Sequence, residues 1–373
     1  MDGDSSLTRE RKEQTNQPEQ TTNAQLSRTD HFDVISLGSA IVDIVVTVNR
    51  DTVERLGLAK GQMTLVGAAR TRELLAALEP GVKSCGGSAA NTAIGLASLG
   101  AASAFMGKVA SDNMGTLFAQ SMKAHEVTFF PIVAQNEFTQ SNSPATTADD
   151  RNAATGTCVV LATPDGDRTM ATNLGVASTL QENDINVDPV LSSRVFYVEA
   201  YLWDIPPART AIKNAMAAAR QSGTKVALSL SDKSCVSRHR SELLQVLAGH
   251  VDMLFGNEDE FTTLYTVSDI ASAAEEAAAE GITAALTRGA KGSLVVSPAG
   301  QIFEVDAVPA GAVVDTTGAG DLYAAGFLYG FTHGMTLVDS AKLGSVCATE
   351  TVSHLGSTPR EDLQLLAREA GLV

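Results

Sequence analysis

Short apolar runs alternate with longer amphipathic or alanine-rich stretches over most of the chain. Val34-Ile35-Ser36-Leu37, Ala104 to Val109, Arg194 to Leu202, Val226 to Leu230, Val251 to Phe255 and Ala285-Leu286 read as buried strands. Between them, Asp112 to His125, Ala208 to Arg220 and Ile270 to Glu280 carry helical patterns, the last with a solvated acidic face. Strand–helix alternation of this kind predicts a parallel, doubly wound sheet. A second set of strands is predicted near Ile44 to Val48, Gln62 to Val66, Val127 to Phe130, Thr155 to Leu161 and Arg168 to Gly175, the last two joined by a turn at Asp165-Gly166. Helices are expected at Arg70 to Leu78, stopped by Pro80-Gly81, and at Thr92 to Leu99, stopped by Gly100. Residues 1–30 are polar and almost devoid of apolar positions, which predicts a disordered tail. Residues 135–155 read as a polar loop, and the ordered domain is expected to run over 31–373.

One stretch breaks the alternation. Ala312-Val313-Val314 reads as the end of a buried strand, and Leu322 to Gly330 as a helix apolar on nearly every face. Between them stands Asp315-Thr316-Thr317-Gly318-Ala319-Gly320-Asp321. The first turn of a helix has amides with no intrahelical partner, and their partial positive charge suits phosphate oxygens. Gly318 and Gly320 let a bulky anion approach the main chain. In this reading the amides of Gly318, Ala319, Gly320 and Asp321 hold charge developing on a transferred phosphoryl group. Asp321 accepts the proton of an attacking hydroxyl, with a pKa expected to be low at a helix N-terminus. The plainer reading of Asp321 as a helix-start carboxylate leaves the glycines and Asp315 unexplained.

Two further places combine backbone freedom with polar groups. Cys85-Gly86-Gly87-Ser88-Ala89-Ala90-Asn91 opens a helix, where Ser88 is either a simple cap or part of a ligand seat. Asn91, one turn in, offers donor and acceptor to a pair of hydroxyls. Asp43 is a lone acid in apolar surroundings, either a turn residue or a carboxylate for two sugar hydroxyls.

The bulk numbers narrow the partners. With 373 residues and 44% hydrophobic content the chain can bury a large core. Its net charge of −16 argues against nucleic acid or an anionic membrane surface, so any phosphate seat must be local. Cys85, Cys158, Cys235 and Cys347 show no metal or redox spacing and fit buried thiols in a reducing cytoplasm. No apolar run is long enough to span a bilayer, and no secretory signal pattern is present. A full Walker A pattern, the protein-kinase signature set and a dinucleotide-binding Gly-x-Gly-x-x-Gly are all missing.

The Asp315–Asp321 stretch, together with Gly86 to Asn91 ahead of it, resembles the two signatures of the ribokinase-like (PfkB) carbohydrate and nucleoside kinases. The resemblance implies a three-layer αβα core with a mostly parallel sheet, a small β-sheet lid at about 46–68 and 128–175, and ATP as donor. Thr157-Cys158, Asp167-Arg168-Thr169-Met170 and Asn173-Leu174 look most like the adenosine kinase lid. By that likeness Arg168, otherwise a solvated hairpin residue, turns toward the phosphates and Cys158 lies near the nucleoside; Tyr201 either stacks on a purine face or is a core aromatic. Met63 and Leu65 either face its base or pack within the lid. Asp43, Ser39, Gly87, Ser88 and Asn91 hold the ribose. Asn257 and Glu260 resemble the family's Asn-x-x-Glu, implying water-mediated Mg²⁺, while Asn257 alone would also cap a helix. Thr287, Gly289 and Thr317 match positions near the nucleotide, and the helix expected at Lys342 to Val352 flanks the donor adenine. The neighbourhood of Asp315 matches a place where some relatives hold K⁺. The implied activity is ATP-dependent phosphorylation of the adenosine 5′-hydroxyl in the cytoplasm, by a monomer or a homodimer. A sugar kinase or an inosine–guanosine kinase of the same family is the alternative.

Overall fold

The computed structural model describes residues 31–134, 154–164 and 167–373. The expected tail at 1–30, most of the loop at 135–155 and the turn at Asp165-Gly166 lie outside these residues. In chain order the strands are β1 (Phe32–Leu37), β2 (Ile41–Thr47), β3 (Met63–Leu65), β4 (Val82–Gly86), β5 (Ser103–Val109), β6 (Thr128–Val133) and β7 (Gly156–Ala162). There follow β8 (Arg168–Asn173), β9 (Ser193–Glu199), β10 (Lys225–Ser229), β11 (Met253–Asn257), β12 (Thr283–Thr287), β13 (Ser293–Val296) and β14 (Ile302–Val305).

Nine of these strands form one sheet in the order β14-β13-β12-β11-β10-β9-β1-β5-β6. From β12 to β6 every pairing is parallel, and β13 and β14 extend the other edge as antiparallel strands. Parallel strands must be covered on both faces, which is why their sequences read as continuous apolar runs rather than alternating ones. The Ala319–Thr332 helix is buried at ten of its fourteen positions, and Leu322, Phe327 and Leu328 join the core with Ile94 and Leu96 of the Ser88–Ser98 helix. The fold is the α/β ribokinase-like arrangement that the strand–helix alternation and the two signatures lead one to expect.

The other five strands form a smaller sheet, β3-β8-β7-β2-β4. Its composition departs from expectation at both ends. Residues 128–133 do not join it: β6 pairs parallel with β5 at the edge of the large sheet. Instead β4 supplies an edge, antiparallel to β2. Only Cys85 and Gly86 of β4 are buried, so this strand carries no apolar pattern to read. Its small core holds Val46, Val53, Leu74, Val159, Leu161 and Ala171.

The predicted strand end at Ala312-Val313-Val314 does not form. Val313 is 64% exposed, and the amides of Val314 and Asp315 both donate to Val352 O, so a helix end rather than a neighbouring strand takes their hydrogen bonds. All four cysteines are buried and free. Among the described residues, no helix is long and apolar enough to cross a membrane.

Candidate active site

The strand ends of the large sheet and the inner face of the small one enclose a cavity of about 490 Å³. It brings together Ser39, Asp43, Gly87, Ser88, Asn91, Cys158, Arg168, Tyr201, Asn257, Glu260, Thr317, Gly318, Gly320 and Asp321. Thr287, Gly289 and Ala319 are not on its wall. Thr287 sits at the end of β12 in register with Asn257, and Gly289 is exposed just beyond it.

Two helices point their N-termini at the centre of the cavity. The Ser88–Ser98 helix starts at Gly87, whose φ of 103° and whose contact with Ser39 O leave no room for a β-carbon. The Ala319–Thr332 helix starts at Gly318, with φ of 81°, where an added β-carbon would sit 2.8 Å from Ser357 Cα, Cβ and O. Asp321 lies where the two meet. Ser88 Oγ donates to its Oδ1 at 2.6 Å and Asn91 Nδ2 donates to its Oδ2 at 2.9 Å. Thr92 Oγ1 donates to the main-chain oxygen of Asp321 at 3.2 Å. The carboxylate was expected to be strongly acidic beside a helix start. Enclosure reverses this: desolvation pushes its pKa up to about 6, although the Ser88 and Asn91 hydrogen bonds pull the other way.

Asp43 stands on β2 opposite Cys158 of β7. Burial pushes its pKa up to about 7; Arg168 opposes that and the charge of Asp321 adds to it. Glu199, at the end of β9, has no role in the sequence pattern, yet it belongs to the site. It is 1% exposed and accepts from the amides of Ser39 at 2.7 Å and Ala89 at 2.9 Å. It thereby ties the β1–β2 turn to the helix that carries Ser88 and Asn91. A lone acid closing the apolar run Val195 to Val198 was the available signal. Burial raises its pKa to about 7 against those hydrogen bonds.

Arg168 reaches from β8 across the cavity, with Nη2 2.6 Å from Asp315 Oδ2 and both side chains buried. That nitrogen is close enough for an ion pair but not aligned as a hydrogen bond. Asp315 also accepts from Thr317 N at 3.1 Å and Gly356 N at 2.9 Å. A guanidinium and two amides thus occupy the carboxylate that a K⁺ ion would need, so this arrangement does not fit a monovalent cation at Asp315.

Asn257 and Glu260 form a reciprocal cap at the start of the Glu258–Tyr265 helix. Asn257 N donates to Glu260 Oε2 at 2.9 Å, Asn257 Nδ2 donates to Oε1 at 2.6 Å, and Glu260 N donates to Asn257 Oδ1 at 3.0 Å. The capping and ligand readings therefore share the same atoms. Glu260 lines the cavity, and burial raises its pKa to about 7. With both oxygens already accepting, it fits a role toward water around a divalent ion better than direct ligation.

Tyr201 lies in a short 3₁₀ turn, Ala200–Asp204, and not in the strand expected through Leu202, because β9 ends at Glu199. It faces the cavity, as do Ile41, Met63, Leu65, Met170 and Leu174. These five, with Cys158, give the small-sheet side of the cavity an apolar wall.

Residues 52–362 match the profile described as pfkB family carbohydrate kinase. A curated relative, the 5-dehydro-2-deoxygluconokinase of Shouchella clausii, is 27% identical over 343 residues, covering 88% of this chain and 91% of that protein. Among solved structures, a probable sugar kinase from Rhizobium etli is 36% identical with a TM-score of 0.82, covering 92% of this chain and 99% of that one. The adenosine kinase of Sinorhizobium meliloti is 39% identical with a TM-score of 0.81, covering 91% and 99%.

Proposed function

This chain belongs to the pfkB family of carbohydrate kinases, and from that premise we propose that it moves the γ-phosphoryl group of ATP to the 5′-hydroxyl of a purine nucleoside, adenosine foremost. The single observation that carries the acceptor is the wall of Ile41, Met63, Leu65, Cys158, Met170 and Leu174 beside Asp43. A base offers a flat apolar face to such a wall, whereas a free sugar would leave it in contact with water.

Each residue then has a task. Asp43 and Asn91 grip ribose hydroxyls. Asp321 takes the proton of the attacking 5′-hydroxyl, and a pKa near 6 makes it a better base than an exposed aspartate. The Ala319 amide already donates to Thr316 O at 3.3 Å, so the amides of Gly318, Gly320 and Asp321 carry the charge of the migrating phosphoryl group. Arg168 adds a positive charge from the small sheet, which acts as a lid and keeps out the water that would compete as acceptor. Mg²⁺ bound with ATP would neutralise phosphate charge, with Asn257 and Glu260 orienting its water.

The second reading is a sugar kinase. The names of the curated relatives favour it over the nucleoside reading, and a probable sugar kinase stands beside the adenosine kinase among the similar structures. Against a gluconate-type acceptor stands the charge of the cavity. Its acids are Asp43, Asp167, Glu199, Asp204, Glu260 and Asp321, and Arg168 already faces Asp315. An anionic acceptor finds little to pair with there.

An acceptor panel decides. ADP release is measured with adenosine, inosine, guanosine, ribose, fructose and 5-dehydro-2-deoxygluconate. The expected result is the highest kcat/KM with adenosine. A higher value for any of the sugars replaces the nucleoside reading with the sugar one.

A further inference from the structure

Asp321 is held from two layers, and the outer one comes from a distant part of the chain. Asn91 gives the carboxylate a hydrogen through Nδ2, and the other end of that amide is fixed from behind. Ser357 Oγ donates to Asn91 Oδ1 at 3.1 Å. The three groups form a relay from hydroxyl to amide to carboxylate.

An asparagine amide can present either edge. In the arrangement seen, the Asp321 carboxylate meets N–H. Turned over, the amide would set its carbonyl oxygen against the carboxylate, two acceptors face to face; the Ser357 hydroxyl can donate or accept, so the carboxylate selects the edge and the serine fixes where the amide sits. The turned-over orientation becomes comfortable only when Asp321 holds a proton. The serine is not free to follow the amide. It is 6% exposed, the amide of its neighbour Gly356 is committed to Asp315, and Gly318 packs so near that a β-carbon there would fall 2.8 Å from its Cα and Cβ.

We infer that Ser357 is a positioning residue for phosphoryl transfer: it anchors the Asn91 side chain from behind and so holds the amide within hydrogen-bond reach of the Asp321 carboxylate. It needs no contact with acceptor or donor to do so. The inference rests on Asp321 being the proton acceptor proposed above. The titratable and charged groups that face Asp321 or its cavity from the other elements, namely Asp43, Asp167, Arg168, Tyr197, Glu199, Tyr201, Asp204 and Glu260, are unchanged in the variants that test it.

The experiment is the pH dependence of kcat with adenosine, or with ribose should adenosine not be turned over. Ser357→Ala loses the hold on the amide and lets the protonated acid compete. Its acid limb is expected to move up by about half to one pH unit, a loss of roughly two- to sixfold at about pH 6 and under about twofold at about pH 8. In an Asn91→Ala background the same substitution is expected to leave the limb where Asn91→Ala alone puts it. An unmoved limb in Ser357→Ala, or an equal movement in the absence of Asn91, overturns the inference. Should Ser357→Ala fail to fold, Ser357→Cys keeps the volume with a weaker donor and must move the limb the same way; an unmoved limb there overturns it equally. Failure of the base assignment looks different. If Asp321→Asn retains turnover, the proposed chemistry falls; if Asp321→Asn is inactive and the limb is unmoved, only the role of Ser357 falls.

Discussion

The two halves of the cavity are built on opposite principles. Around Asp321 nearly every polar group is spoken for: Ser88, Asn91 and Thr92 converge on it, and Ser357 backs the amide. Across the cavity, apart from Asp43, Arg168 and Thr172, the small sheet offers apolar side chains, from Ile41 through Met63 and Leu65 to Met170. Hydrogen-bonded groups in a low-dielectric enclosure are costly to disturb and hold atoms in place. Apolar contacts are non-directional and tolerate different partners. The first half suits a fixed chemical step, and the second suits the choice of acceptor. Damage to the first should cost rate, and damage to the second should cost selectivity.

The largest test of that division is Asp321→Asn. We expect kcat to fall by roughly a thousandfold or more while the dissociation constant for adenosine stays within about threefold. Stopped-flow binding beside steady-state turnover checks it, and equal losses in both would erase the distinction. Next in size is the apolar wall. Met63→Ser combined with Leu65→Ser should raise KM for adenosine about tenfold, about 1.4 kcal/mol, and leave KM for ribose within about twofold, since Leu65 is 47% exposed and a bound base covers only part of the two side chains. Parallel losses with both acceptors would mean that the wall serves the fold and not selection.

Titration sharpens the comparison further. Turnover needs ionised Asp321, whose pKa lies near 6, so kcat should fall roughly tenfold per unit below about pH 6. Stability should run the other way. Burial raises Asp43, Glu199 and Glu260 to about 7 and Asp321 to about 6. A carboxyl whose folded pKa exceeds its unfolded one stabilises fully below the unfolded value, and that stabilisation is lost as pH rises through the folded one. The unliganded protein should therefore lose several degrees of Tm between about pH 5 and about pH 8, the smallest of these effects. A Tm that rises over that window would mean that these acids are not enclosed as described.

How much of this could be read beforehand also divides along the cavity. The chemical half was legible because its demands are local. Gly318, Gly320 and Asp321 are neighbours in sequence, and a helix start needing positive φ announces itself through glycine. The layout of the large sheet followed from continuous apolar runs. The small sheet was only partly legible. Its β4 edge is mostly exposed, so no hydrophobic period marks it, and Phe129 and Phe130 pointed equally well to either sheet. The failed strand at Val313 shows the reverse error, an apolar run left at the surface. Glu199 had a signal, an acid ending an apolar strand. Ser357 had none, because its importance lies in a neighbour 266 positions away.

That separation has a kinetic consequence. The contacts that complete the site span 230 to 266 positions, so each closes a very long loop. Loop closure of that span is paid before the contact repays it, and long-range pairings form late. On refolding, helical signal should return first and turnover should lag behind it, because residues near 90, 320 and 357 must all find one another before the carboxylate is seated. Catalytic competence is in this sense a report on the completed assembly of the whole chain.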